Sequence, residues 1–320
     1  MKKILLFSVA LFTMSANMLA DGLTATLQQG DNMQAFYGVE AFKQAYEAAS
    51  DGAVITLSSG QFEAVSPITK SITVIGAYAF SSNISASTVF NEAMSIAADS
   101  VHLEGIRWND NLSLGKISDC HIKRCWVEKK LWAFDTHTNT LIDQCVVKTD
   151  EAIANGINYS IKNSTLEKFG AMNTKDNMAH ITNCVIWGWT SIGYSGNSAI
   201  GYRQPYGIYK NNLLKEVQSY KPSFTTDSYS EFYHNIFSWY SNVTFPSGID
   251  GGNIVISGNA TSSNGIYPAG TLYSTYNTAG MDGTAIGTYG GSGFSAYPSI
   301  PRITSRTIDS FTDAEGKLNV

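Results

Sequence analysis

Three short stretches decide the fold: Ile142-Asp-Gln-Cys-Val-Val147, Ile161-Lys-Asn-Ser-Thr-Leu166 and Ile181-Thr-Asn-Cys-Val-Ile186. Each reads apolar, any, turn-former, small or polar, any, apolar. Outward from these, the pattern recurs at Leu103–Trp108, Ile117–Ile122, Tyr209–Leu214, Phe232–Phe237 and Ile256–Thr261. Successive starts lie 14, 25, 19, 20, 28, 23 and 24 residues apart. The third slot holds Gly105, Asp119, Gln144, Asn163, Asn183, Asn211, His234 and Gly258, mostly residues that tolerate positive φ. Each copy therefore predicts a sharp left-handed bend between two short strands. The fourth slot holds Ile106, Cys120, Cys145, Ser164, Cys184, Asn212, Asn235 and Asn259. Like residues follow one another there, as in an internal ladder in which each coil stacks on the last. A period of this length with no helical pattern inside it predicts a β-solenoid. A leucine-rich repeat needs more leucine, and a propeller needs roughly twice the period. A β-sandwich also shows regularly spaced strands, but it does not require aligned bend and ladder slots.

The N-terminal part fits that architecture. Val39, Phe42, Ala45 and Tyr46 share one face of a helix over residues 38–50. Asp51-Gly52 ends it and Ala53-Val-Ile-Thr-Leu57 begins a strand. An amphipathic helix there would cap the first coil, whose open edge otherwise invites aggregation. Before it, Lys2 and Lys3, the apolar run Ile4–Phe12 and the small residues ahead of Asp21 read as a cleaved signal peptide over residues 1–20. The protein is thus expected to be secreted or periplasmic. No other apolar run approaches the ~18 residues of a membrane span. Residues 21–300 form one solenoid domain, and 301–320 an extended tail. The Gly-, Ser- and Tyr-rich stretch 263–300 reads either as degraded last coils or as a loop over the C-terminal end. Charged residues make up 15% of the chain against 43% hydrophobic, which excludes disorder. The net charge is −5, so there is no basic excess to neutralise phosphates and a nucleic-acid role is excluded.

The run Phe42-Lys-Gln-Ala-Tyr-Glu-Ala-Ala-Ser-Asp-Gly-Ala-Val-Ile-Thr-Leu-Ser-Ser-Gly-Gln-Phe62 resembles the entry to pectate-lyase-like right-handed parallel β-helix proteins. There a capping helix ends in Asp-Gly and a strand leads to Gly-x-Tyr/Phe. Ile68–Gly76 is similar to that family's first coils. With the ladder copies the resemblance covers roughly residues 38–262. It implies an all-β, single-stranded right-handed parallel β-helix and polysaccharide as partner. It does not choose among lyases, hydrolases, epimerases and non-enzymes.

β-Elimination from a uronate needs a group to neutralise the carboxylate, and a base. The resemblance implies calcium on clustered carboxylates, or Arg, Lys or Asn, for the first task, and Lys, Arg, His or Tyr for the second. The candidates are Lys123 and Arg124, beside Lys129-Lys130, and His137 with Asp135 two residues before it. Strand alternation would put Asp135 and His137 on one face, where a carboxylate orients a base. Lys123, Lys148, Glu167, Trp187, Lys215 and Ser238 are expected to align across coils at steps of ~4.8 Å. An ordinary solvated face accounts for that column equally well.

Several motifs are absent. There is no Asp-x-Asp-x-Asp, no EF-hand loop and no Arg-x-Pro-x-x-Arg; Arg203-Gln-Pro205 is a partial echo. No cofactor is assigned, with calcium left open, and no metal ligands are assigned. Trp126, Trp132, Trp187, Trp189, Trp239 and Tyr240 fall largely outside the inward slots, and flat aromatic faces stack on sugars. With Arg203 they are the candidate glycan contacts. Cys120, Cys145 and Cys184 read as buried packing thiols, and Cys125 as the thiol left at the surface. Two classes remain: a non-catalytic glycan-binding or scaffold solenoid, and a lyase acting on an acidic glycan. The sequence does not give the oligomeric state.

Overall fold

The computed structural model describes residues 22–81, 83, 86–148, 156–168, 178–188, 207–215, 231–239, 251–257 and 276–299. Parallel strands stack in register as a β-solenoid. The first sheet has 11 strands and the second 10, and two shorter sheets of three strands complete the wall. The first sheet begins with an antiparallel hairpin, β1 (Thr24–Gln29) and β2 (Asn32–Tyr37), which leads into β3 (Val54–Leu57). From β3 onward the sheet is parallel through Glu231–Tyr233.

Alternation explains why these segments are strands. In the first sheet Ile55, Val74, Leu103, Ile122, Ile142, Ile161, Ile181, Tyr209 and Phe232 stack inward, one per coil. In the second, Phe62, Phe90, Trp108, Val127, Val147, Leu166, Ile186 and Leu214 face them. β-Branched side chains suit a pleated, tightly stacked surface. Each contributes roughly 1.5–3 kcal/mol by leaving water. The helix α1 (Ala41–Ala48) buries Ala41, Phe42, Ala45 and Tyr46 against the first strands. Val39 lies before it and is exposed, not on its inner face. The N-terminal hairpin has no counterpart in the sequence expectation, because its exposed β2 lacks an apolar alternation.

The bends confirm the positive-φ reading and correct its register. Gly105, Gln144, Asn163, Asn183, Asn211 and His234 all have positive φ, between 46° and 68°. The coil between Gly105 and Gln144, however, turns at Arg124 (φ 50°), not at Asp119. Asp119 belongs to a second corner, with Ser100, Asn139 and Asn158, all near φ 50–56°. The hexapeptides Ile117–Ile122 and Ile122–Val127 overlap, and only the first has a turn-former in its third slot, so the pattern falls on the wrong corner. The ladder shifts accordingly: Cys125, not Cys120, stacks with Cys145, Ser164 and Cys184. Its asparagine end is Asn212, Asn235 and Asn253, the last following Gly252 (φ 76°) in place of Asn259.

The ladder behaves as an internal hydrogen-bonded stack. Cys184 N donates to Asn212 Oδ1 (2.8 Å), Asn212 N to Asn235 Oδ1 (2.9 Å) and Asn235 N to Asn253 Oδ1 (2.9 Å). The amide nitrogens of the three asparagines donate to the carbonyls of Ile181, Tyr209 and Phe232. All four cysteines are buried free thiols. Cys125 is therefore not at the surface. Burial pushes Cys120 and Cys184 up to about 12, which leaves them protonated and unreactive.

Residues 276–299 neither extend the coils nor plug an end. They run as a strap along the first corner, back toward the N-terminus. His234 Nδ1 meets Ala279 O at 2.9 Å, and Met281 N donates to Asn211 Oδ1. Asn183 Nδ2 donates to Ala285 O, and Asn163 Nδ2 to the carbonyls of Thr288 and Gly290. Ser295 N donates to Gln144 Oε1 and Ser299 N to Glu104 Oε1. The glycine-rich run Gly287–Gly293 is where the strap lies closest, since a Cβ on Gly290 would collide with Asn183 and the Ala285 carbonyl.

Candidate functional site

The four residues expected to carry chemistry do not converge. Arg124 is held at the first corner. Its guanidinium donates to Glu104 Oε1 at 2.6 Å, to Gln144 Oε1 at 3.2 Å and to Ser299 Oγ at 2.8 Å. It fastens the strap rather than facing a groove. Lys123 stands on the outer face of the first sheet, in register between Glu104 and Asp143. It is on a different sheet from Lys148; the residue beside Lys148 in the second sheet is Glu128. The alternation that paired Asp135 with His137 fails because the chain turns there. Asp135 is exposed and accepts from Thr136 N, whereas His137 begins a strand and is 0% exposed. His137 Nδ1 lies 2.8 Å from Thr140 Oγ1, and its ring is 5.2 Å from that of Tyr159. A Cβ on Gly156 would strike both rings, so that glycine makes the room they occupy.

The outer face of the first sheet also presents His102 and His121, rings 5.7 Å apart. Burial depresses the His121 pKa first, and His102 and Lys123 add to that against Asp143 and Glu104. His121 is neutral at pH 7.

Trp126 is not open to a sugar. Arg107 and Lys148 each lie over its ring, at 4.9 and 5.2 Å. Its indole donates to Glu128 Oε2 at 2.6 Å, and Glu128 pairs with Arg107 and Lys148. Burial works against the Glu128 carboxylate, but the indole and the two cations outweigh it and lower its pKa. The side chains of Trp187 and Trp239, together with Trp189, Arg203 and Tyr240, lie outside the described residues.

Of the two described aromatic candidates, Trp132 is the open one. It is 41% exposed and Phe134 beside it 53%, with ring centroids 5.8 Å apart. They sit on the outer face of the three-stranded sheet Met94–Ile96, Leu112–Leu114, Leu131–Ala133. In register beside Trp132 are Ser113 and Ser95, and Ser95 Oγ lies 3.2 Å from Ser66 Oγ. Lys116 is exposed one residue past Gly115, which lies against the Phe134 ring. Phe134 is not among the sequence candidates; its signal is the Trp-x-Phe alternation, which sends both rings to one face. An aromatic platform bordered by hydroxyls can stack on an apolar ring face and hydrogen-bond its rim.

Among the described residues, no group of three or more His, Cys, Asp or Glu side chains is placed to hold a metal ion. No helix among them is long and apolar enough to cross a membrane. Comparison of the chain with protein-family models, curated proteins and solved structures finds no match.

Proposed function

We propose that this is an exported β-helix protein that binds polysaccharide on its outer wall, with Trp132 and Phe134 as the sugar-stacking platform. The observation that carries this reading is the pair of open rings on one face, beside the Ser66–Ser95–Ser113 hydroxyls. A core does not require two large aromatic rings in water, and exposed apolar patches mark binding surfaces. The resemblance to pectate-lyase-like proteins supports polysaccharide as the ligand class. A lyase acting on an acidic glycan is the weaker reading, since Arg124 and His137 are committed to structural contacts.

Affinity electrophoresis against acidic and neutral polysaccharides tests this. One of them should retard the protein, and Trp132→Ala with Phe134→Ala should weaken that retardation at least tenfold while leaving the thermal midpoint unchanged. Retardation that survives both substitutions sinks the platform. An unsaturated-uronate absorbance rising in the same mixtures would instead establish the lyase.

A further inference from the structure

Among the described residues, the first sheet does not end on a covered strand. At its N-terminal side β2 pairs there with β1 alone. Gly38 N donates to Leu23 O at 3.1 Å, which sets the hydrogen-bond phase of the hairpin. Asn32, Gln34 and Phe36 turn their backbone groups to β1, and Met33, Ala35 and Tyr37 turn theirs away. Natural edge strands are blunted by lysine, proline or a bulge. β2 has no charge and no proline, and its register from Thr24–Tyr37 to Gln29–Asn32 runs without a bulge. Its outward side chains stand open, with Met33 70% and Tyr37 46% exposed. The strand that ends the same sheet at the other side, Glu231–Tyr233, carries a carboxylate.

We propose that β2 is a dimerisation edge: two copies of the chain join their β2 strands antiparallel about a two-fold axis through Ala35, continuing the first sheet across the interface. The occupant is a second copy because the strand is complementary to itself in this register. With Ala35 opposite Ala35, Met33 faces Tyr37 of the other copy twice, sulfur against ring. Gln34 faces Phe36 on the opposite side of the sheet. Asp31 falls opposite Val39, so no like charges meet. The outward N–H and C=O groups of Met33, Ala35 and Tyr37 satisfy one another in about six inter-chain bonds. A two-fold pairing also closes on itself, where open strand stacking would grow without limit. An edge six residues long belongs with small, transient interfaces, so association in the micromolar range is expected.

Sedimentation velocity of the full purified protein, from about 1 to 200 μM, reads the equilibrium directly. A shift from monomer to dimer across that range is expected. Met33→Lys combined with Tyr37→Lys sets like charges opposite each other at both ends and should raise the dissociation constant at least tenfold. Met33→Lys combined with Tyr37→Glu sets opposite charges there and should restore it to within a few-fold, which only this register does. Ala35→Pro removes a donor that β1 does not use, so the thermal midpoint should stay while the dimer is lost. A monomer at every concentration overturns the proposal. So does a dimer indifferent to these substitutions, which would place the interface elsewhere. A monomer whose Ala35 amide resists hydrogen exchange would show that the chain covers this edge itself, and that too overturns it.

Discussion

The solenoid has two corners built on the same backbone turn, and they differ in what lies outside them. At the first, Gly105, Arg124, Gln144, Asn163, Asn183, Asn211 and His234 bend under the strap. At the second, Ser100, Asp119, Asn139 and Asn158 bend exposed, with no strap over them among the described residues. Gln144, Asn163, Asn183, Asn211 and His234 bind the strap's backbone, and Arg124 the Ser299 hydroxyl; Asn163 and Asn183 are buried. The open ones bind one another: Asn139 Nδ2 donates to Asp119 Oδ1 at 3.1 Å, and Asn158 Nδ2 to Asn139 Oδ1 at 2.6 Å. Positive φ selects the residue class at both corners. The cover decides how much each residue weighs.

That contrast can be broken or sharpened by substitution. Asn163→Ala strands two strap carbonyls in a buried site, and should cost about 2–3 kcal/mol, read from urea denaturation. Arg124→Met leaves Glu104, whose side chain is only 14% exposed, without its cation and should cost about 1–2 kcal/mol, with faster proteolysis of the strap. The open corner should be more tolerant: Asn139→Ala is expected to cost about 0.5–1 kcal/mol, mainly from strained positive φ. Asn139→Gly, which removes that strain, should stay within a few tenths of a kcal/mol. An equal loss at Asn163 and Asn139 would show that the strap adds nothing.

The sheet between the corners should respond to mild acid. The folded His121 pKa is depressed by burial and by His102, so the unfolded chain binds the proton first, near pH 6.5. Its contribution is complete above that pH and is lost as pH falls through the folded value. The urea midpoint should drop between pH 7.5 and 5.5, and His121→Asn should flatten the slope.

The stack of apolar slots and the positive-φ bends were legible because they repeat. Gln144, Asn163, Asn183, Asn211 and His234 each announce a bend by residue type. Arg124 does not, since its side chain is there for Glu104 and the strap and only its backbone for the turn. The strap was illegible for the same reason: it binds through its own carbonyls and amides, which any sequence possesses. The chemistry was least legible. The spacing of Asp135 and His137 assumed a continuous strand, and one turn between them sends the two side chains to opposite environments. Trp126 and Trp132 looked alike in sequence, and only the neighbouring coils distinguish the ring boxed in by Arg107 and Lys148 from the open one.

The strap also sets an order of events. Successive coils meet over about twenty residues and can form one after another from the N-terminus, a low-entropy path of short closures. Ser299 reaches Glu104 across 195 residues of chain. That contact cannot form until residues 104 to 299 are all available, so the clasp closes after the coils it spans. A chain truncated before residue 276 would stack its coils yet leave Asn163, Asn183 and Asn211 unclasped. Closure of the strap thereby depends on every turn of the first corner from Glu104 to His234 being in place.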